Sequence, residues 1–317
     1  MSARPPLFSR EELRSAGIGP GPMRRMLVSG DLVRLRPGVY LRVDPERPPT
    51  PEEWIVARAR ALARTSAEPP LFSHLTAAAL HGLPVRGPAS PKVHITVPPE
   101  RPGAQALVIR HRGEVPEEQQ LERLGIRFTS LERTMADVAR TAPFDVAVCT
   151  LDAAFRPVTA PKPGVHDLTA AEGLREEVLE IAARSAHGRA RAARALGFAD
   201  GRAQLPGESI SRIRLVELGF ARLDLQVQVA GPSGQKYFVD FGLDDVKAWG
   251  EFDGEQKYRD EAMRSGLTLE EVLLREKQRE DWIRGVTQRP FARWKWAHLR
   301  SADALAQRLA SFGIRPR

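Results

Sequence analysis

Acidic residues on two apolar segments near residue 240 constrain this chain more than any other feature. Asp240 lies on the alternating apolar segment 235–243, and Glu251 and Asp253 stand two apart on the next segment, 246–253. Side chains two apart on a strand share a face, so antiparallel pairing would bring the three carboxylates together. Buried charge is costly unless it is paired or binds a metal ion. We therefore expect adjacent strands that carry a functional acidic cluster.

The composition limits the class of protein. With 317 residues, 42% of them hydrophobic and 28% charged, the chain has the make-up of a soluble globular protein of two or three domains. No run of about 18 apolar residues occurs and no signal peptide is recognisable, so we expect a cytoplasmic protein without membrane contact. Cys149 is the only cysteine, which excludes intrachain disulfides and cysteine-type zinc sites. The spacing of His74 and His81 in an apolar helical run favours packing over metal binding.

The net charge of +8 and the pI near 10.1 favour a polyanionic partner such as nucleic acid. Arginines outnumber lysines 41 to 7, a ratio that a GC-rich genome explains as well as function does. The distribution is more informative, because residues 1–47 hold nine Arg against five Asp and Glu. The basic excess is therefore densest at the N-terminus.

Residues 1–46 predict a winged helix-turn-helix. Ser9 and Glu12 form a capping box for a short helix, a second helix follows, and residues 32–36 and 39–42 alternate as the strands of a hairpin. In that motif the second helix enters the major groove of DNA and the wing contacts phosphates. The candidate DNA contacts are Arg24, Arg25, Arg34 and Arg36. The alternative is a small helical domain with a solvated arginine face.

Residues 47–165 predict an α/β middle domain behind a proline-rich boundary. We expect helices over 52–65, 71–83, 129–140 and 147–156, and strands over 92–97, 106–112 and 125–129. Arg133 and Asp137, four apart on one helix, favour a structural ion pair over a site.

Several motifs in residues 1–156 resemble the AbiEi antitoxin family of bacteria. They are Leu7-Phe8-Ser9 with Gly38-Val39-Tyr40, Ser73-His74-Leu75-Thr76-Ala77-Ala78 with His81-Gly82-Leu83-Pro84, Thr129 to Asp137, and Leu151-Asp152-Ala153-Ala154. The resemblance implies a winged helix that represses its own promoter, joined to a middle domain often associated with blocking a nucleotidyltransferase toxin. DNA and a nucleotidyltransferase toxin are therefore the expected partners.

Residues 166–205 predict a helical linker, and residues 206–317 a domain with the element order αβββαβα. If Asp240, Glu251 and Asp253 converge there, their repulsion would raise their pKa values unless a divalent cation such as Mg²⁺ or Mn²⁺ bound them. Such a metal activates water and polarises a phosphodiester. Lys257 would stabilise developing negative charge, and Glu208 would add a ligand or a base.

The C-terminal domain resembles the PD-(D/E)XK nuclease superfamily, in particular the DUF559 group related to very-short-patch-repair endonucleases. The matching segments are Gly207-Glu208-Ser209, Leu225 to Gln228, Val239-Asp240-Phe241, Gly250 to Gly254, Lys257-Tyr258, Glu276 to Asp281, and Arg293 to Trp296. The resemblance implies a restriction-endonuclease-like fold in which Asp240 and Glu251 match the family's two acids. Asp253 stands where the family's catalytic lysine is expected, so Lys257 or Lys277 would replace that lysine. An ion pair with Asp281 is the alternative for Lys277.

Two functions follow from the sequence. The first is a DNA-binding protein whose C-terminal domain is a Mg-dependent endonuclease. The alternative is an AbiEi-like antitoxin or transcriptional repressor without catalytic activity, in which the C-terminal fold serves binding.

Overall fold

The computed structural model describes residues 6–86, 92–98, 107–254 and 268–316. The chain divides into two compact units. Unit 1 consists of Met1–Thr150 and Gly173–Phe198, and unit 2 of Leu151–Glu172 and Ala199–Arg317. The predicted winged helix and most of the predicted middle domain lie in unit 1.

The N-terminal part of unit 1 has two helices and a three-stranded sheet. The strands are β1 (Leu7–Ser9), β2 (Leu32–Arg36) and β3 (Val39–Arg42), in the antiparallel order β1-β3-β2, and the helices are α1 (Arg10–Ser15) and α2 (Pro20–Ser29). The capping box of Ser9 and Glu12 begins α1 as predicted, and Gly30 ends α2 in the left-handed conformation that glycine adopts without strain. Leu13, Met23, Leu32 and Tyr40 form its core.

The rest of unit 1 is built on a five-stranded sheet. Its strands are β4 (Leu71–Phe72), β5 (Val93–Val97), β6 (Val108–Arg112), β7 (Gln120–Arg123) and β8 (Ile126–Thr129), in the order β6-β5-β4-β8-β7. Helices α3 (Pro51–Thr65), α4 (His74–His81) and α5 (Leu131–Thr141) accompany it. Leu71 and Phe72, expected in a helix, form the central strand instead, because they pair with β5 on one side and β8 on the other. A two-residue strand leaves no alternation from which to predict it.

Three further helices follow: α6 (Phe144–Thr159), α7 (Leu168–Ala183) and α8 (Arg189–Phe198).

The predicted Arg133–Asp137 ion pair is present on α5, with 3.1 Å between Arg133 Nε and Asp137 Oδ2. Arg140 contacts the other oxygen of this buried carboxylate at 3.3 Å.

Unit 2 contains a four-stranded sheet in the order β12-β11-β10-β9. The elements are α9 (Pro206–Glu217), β9 (Leu223–Ala230), β10 (Lys236–Leu243), β11 (Ala248–Phe252), α10 (Leu269–Thr287), β12 (Phe291–Trp294) and α11 (Ala302–Ala310). Among the described residues this is the predicted order αβββαβα. β9, β10 and β11 pair antiparallel, whereas β12 pairs parallel to β11. Val229, Val239, Trp249, Ile283 and Phe291 form a core that joins α10 to the sheet.

No helix in the described part of the chain is both long and apolar enough to span a bilayer.

Candidate functional site

The first candidate surface is the outer face of α2. Met23 on this helix is buried in the core, whereas Arg24 and Arg25 are exposed. Val28 lies three and four residues further along, on the same face, and is 84% exposed. This exposed valine beside the two arginines was not among the predicted DNA contacts. This face of α2 therefore presents two positively charged side chains next to one apolar side chain.

The two candidate arginines of the wing differ in their exposure. Arg34 on β2 is exposed, but Arg36 is half-buried, and its Nε is buried without a hydrogen-bond partner in the described structure. The β2–β3 register shifts between these two residues, which is the mark of a β-bulge. A bulge breaks the alternation that would put residues two apart on one face. Arg36 therefore borders a cleft with Leu62 and Ile95 of unit 1.

The second candidate site is the acidic cluster of unit 2. β10 and β11 pair at Phe241 and Gly250, and extending this register by one residue sets Asp240 opposite Glu251. Opposed residues of an antiparallel pair lie on the same face of the sheet. Both carboxylates are 6% exposed. The sheet therefore brings these two predicted residues together in a buried position.

Gln226 on β9 connects Asp240 to Glu208 of α9. Its Nε2 donates to Asp240 Oδ1 at 3.2 Å and lies 3.5 Å from Glu208 Oε2. The backbone N–H of Phe252 donates to the other oxygen of Asp240 at 3.0 Å. Gln226 has a φ of +51°, a backbone conformation that is strained for residues other than glycine. Gln226 lies at a break in the pairing of β9 with β10, and its side-chain amide is directed between Asp240 and Glu208.

Two arginines compensate the charge of Glu251. Arg279 Nη2 donates to Glu251 Oε1 at 2.6 Å, and Arg293 Nη2 lies 3.1 Å from Oε2. Arg279 also donates to the carbonyl of Phe238. Burial alone would lower the pKa of Arg279, but the charges of Glu251, Glu276 and Asp240 raise it above its usual value. Arg279 is therefore a permanent cation paired with Glu251.

The remaining predicted site residues lie elsewhere. Asp253 follows the end of β11 and is half-buried, and its Oδ1 is buried without a hydrogen-bond partner among the described residues. Lys277 is exposed on α10, and the ion pairs of the described residues do not include one with Asp281. Lys257 falls in the segment 255–267, outside the described residues.

Arg279 is the residue of the acidic cluster that sequence reasoning did not select. The sheet-facing residues of α10 are Val272, Glu276, Arg279 and Ile283, which follow one another at helical spacings of four, three and four. That pattern was available in the sequence, because Val272 and Ile283 are apolar residues on one helical face. It selects Arg279 and leaves Lys277 on the solvent side.

The fit of a divalent cation can be judged from the donor atoms. Asp240, Glu251 and Asp253 supply the carboxylate oxygens that Mg²⁺ prefers, and the unpartnered Oδ1 of Asp253 is suited to a ligand. Against this, both oxygens of Glu251 are paired with arginines. In the described residues, no three His, Cys, Asp or Glu side chains are grouped as a metal site requires. The donor chemistry fits a hard cation, whereas the arrangement of the side chains does not form a complete cage.

Unit 1 holds a cluster of three histidines, the buried His74 and the half-buried His94 and His111. His94 Nδ1 lies 3.0 Å from His111 Nε2, and the rings of His74 and His111 stack with centroids 3.4 Å apart and 12° between their planes. Burial, followed by the charge of His111, lowers the pKa of His94 to about 4, and burial, followed by the charge of Arg140, lowers that of His111 to about 4. Parallel rings do not direct their in-plane lone pairs at one point, so the cluster packs as neutral rings.

A comparison with known protein families agrees with the fold of the N-terminal part. Residues 2–43 match a family model described as "Transcriptional regulator, AbiEi antitoxin". The match covers the two helices and the hairpin, including all four candidate arginines.

Similar proteins are known from Mycobacterium tuberculosis. The chain is 28% identical over 228 residues to the uncharacterized proteins MT2308 and Rv2248 of two strains, an alignment that covers 71% of this chain and 74% of each relative. A crystal structure of the RV2827C protein from the same species is 18% identical, covers 61% of this chain and 76% of that one, and gives a TM-score of 0.33. We infer no shared fold at that score.

Proposed function

We propose that this protein is a DNA-binding transcriptional regulator that binds through its N-terminal winged helix. The observation that carries the proposal is the exposed face of α2, on which Arg24, Arg25 and Val28 are solvent-accessible. The family match of residues 2–43 supports it. Arginines at such a face contact phosphates or guanine, and an apolar side chain contacts the thymine methyl group. Arg34 of the wing would add a phosphate contact.

The test is binding to a duplex taken from upstream of the protein's own gene, followed by fluorescence anisotropy at several salt concentrations. Arg24→Ala/Arg25→Ala should weaken binding and reduce the slope of log K against log salt by about 0.9 for each lost phosphate contact. The matched control is Arg112→Ala/Arg123→Ala, which removes two exposed arginines from the five-stranded sheet. Equal binding by both double variants would refute the assignment.

We further propose, as a second candidate function, phosphodiester hydrolysis at the acidic cluster of unit 2. It is favoured by the placement of Asp240 opposite Glu251, both buried, and by the pairing of Arg279 with Glu251. Buried acids beside a fixed cation form a preorganised site of the kind that stabilises charge in a transition state. Arg279 would stand in for the lysine that the sequence lacks at position 253, holding negative charge on the scissile phosphate.

Asp240, Glu251 and Asp253 do not group into a complete metal site in the described structure, so a Mg²⁺ or Mn²⁺ ion that supplied an activated water molecule would need ligands beyond these three. The residues themselves have separate roles. Gln226 orients Asp240 and Glu208, and Arg293 holds Glu251 in place. Glu208 is available as an additional base.

Cleavage of a labelled oligonucleotide in Mg²⁺ or Mn²⁺ tests this candidate. Asp240→Asn and Glu251→Gln should each abolish cutting, whereas Lys277→Gln should retain it because Lys277 lies on the solvent side of α10. Mn²⁺ binding measured by electron paramagnetic resonance gives a second readout, expected to weaken in Asp240→Asn. Cutting that survives both acid substitutions would locate the activity elsewhere or in a contaminant.

If the wild-type chain cuts no DNA with any metal, the non-catalytic regulator remains. The description of the matched family as an antitoxin supports a toxin as its protein partner, and we propose a nucleotidyltransferase. Co-purification with a nucleotidyltransferase encoded next to the gene would support this partner, and failure of the two to associate would refute it.

A further inference from the structure

A cleft in unit 2 is not used by the functions described above. It has a volume of about 200 Å³ and is lined by residues 156, 160 and 162–166, by Arg202 and Gln204, and by residues 224–228 of β9. The first of these segments is the end of α6 and the turn after it. All of these residues belong to unit 2.

The charge of the cleft is positive and only partly compensated. Arg202 is paired with Asp200 at 2.9 Å and with Asp224 at 2.6 Å. Arg156 is different, because its Nη1 is buried and has no hydrogen-bond partner in the described structure. Burial lowers the pKa of Arg156, and the charge of Glu208 partly opposes that shift. Lys162, at the same cleft, is exposed. Arg156 and Lys162 both line the cleft, and an anionic ligand there would offset their positive charge.

The lining restricts the class of anion. Among the described residues that line the cleft, the one aromatic ring is the imidazole of His166, and no Phe, Tyr or Trp is present on which a base would stack. The lining does contain a planar guanidinium and a flexible ammonium group, both of which bind phosphate oxygens. These features fit a phosphate of a sugar–phosphate backbone better than a nucleobase.

Hydrogen bonds connect the cleft to the acidic cluster. Gln204 Nε2 donates to Gln226 Oε1 at 2.9 Å, and Gln226 in turn donates to Asp240. Gln204 and Gln226 both line the cleft. The cleft and Asp240 are therefore joined through Gln226, which lines the cleft and donates to Asp240.

We propose that this cleft binds a backbone phosphate of a nucleic-acid strand and so forms a second nucleic-acid contact, separate from the winged helix. The proposal deepens the hydrolysis proposed above by naming the strand's binding path, but binding at the cleft does not require cleavage. Gly164 maintains one wall. A Cβ there would lie 2.8 Å from the Phe238 ring, and its φ of +76° disfavours other residues.

The experiment measures binding of a fluorescein-labelled single strand to the full chain, without added metal, over a range of salt concentrations. All variants carry Arg24→Ala/Arg25→Ala, which removes the winged-helix contact. Lys162→Gln and Arg156→Gln are compared with Lys236→Gln and Arg222→Gln, which remove equal charge from exposed positions of the same unit outside the cleft.

Each cleft substitution should weaken binding about fivefold and lower the salt slope by about 0.7, while the controls should match the parent. Lys162 is exposed, so its variant should fold even if Arg156→Gln does not. A Lys162→Gln affinity and slope equal to those of Lys236→Gln would overturn the proposal. The cleavage assay is independent of the binding assay. Weaker binding by the cleft variants without any cutting would support phosphate binding at the cleft and refute the hydrolysis. Cutting without any change in binding by the cleft variants would support the hydrolysis and refute phosphate binding at the cleft.

Discussion

At the scale of single residues, the properties of the acidic cluster depend on which groups meet Glu251. Its carboxylate is buried, and two arginines compensate it. Removing one partner of a buried ion pair leaves an uncompensated charge, which costs more than the pair contributes. Arg279 is therefore both a structural partner of Glu251 and the proposed cation of the site.

We expect Arg279→Gln to lower the free energy of unfolding by about 3 kcal/mol, measured by urea denaturation. Glu251→Gln should offset part of that loss in the double variant, because the uncompensated charge is gone. Lys277→Gln is the control on the same helix, and we expect it to lie within about 0.5 kcal/mol of the parent. A double variant whose loss equals the sum of the single losses would contradict a direct interaction.

At the scale of elements, close approach between β11 and β12 depends on Gly250. A Cβ at that position would lie 2.3 Å from the Trp294 ring, which is fully buried and donates to Ser211 Oγ at 2.7 Å. Glu251 is the next residue of β11. A larger residue at position 250 would collide with Trp294, which explains why a glycine precedes the acid.

Gly250→Ala should destabilise the chain by about 1–3 kcal/mol through overpacking against Trp294. The measurement is the thermal midpoint together with tryptophan fluorescence, which reports on the displaced ring. Gly285→Ala on α10 is the control, because a Cβ there meets no atom within 4 Å. Trp294→Phe should recover part of the loss in Gly250→Ala, and no recovery would argue against this contact.

At the scale of the whole molecule, the two units hold buried groups whose titrations have opposite signs. In unit 1 burial lowers the pKa of His94 to about 4, so the unfolded chain binds the proton first as the pH falls below about 6.5. In unit 2 burial raises the pKa of Asp152 to about 6, despite the charge of Arg212. Acidification therefore works against the fold of unit 1 through His94, whereas protonation of Asp152 occurs first in the folded form of unit 2.

We expect the stability of unit 1, followed by far-ultraviolet circular dichroism in urea, to fall by about 2 kcal/mol between pH 7 and pH 5 through His94. His94→Gln should flatten this dependence, and His187→Gln, an exposed histidine of the same unit, should not. Equal pH dependence in the two variants would exclude the histidine cluster as its source.

Local sequence patterns predicted much of the fold. The capping box at Ser9, the hairpin of β2 and β3, and the αβββαβα order of unit 2 all follow from periodicity and turn residues that act over a few positions. The ion pair of Arg133 and Asp137 was equally predictable, because residues four apart on a helix are neighbours.

The sequence by itself determined where the acids stand and which helix face carries exposed arginines. Only the tertiary structure decided what those groups meet. It paired Glu251 with Arg279 and Arg293, turned Arg36 toward the interior through a bulge, and placed three histidines from distant segments in one cluster. The physical reason is that periodicity specifies the face on which a side chain lies, whereas its neighbour depends on strand register and on packing between elements far apart in the chain.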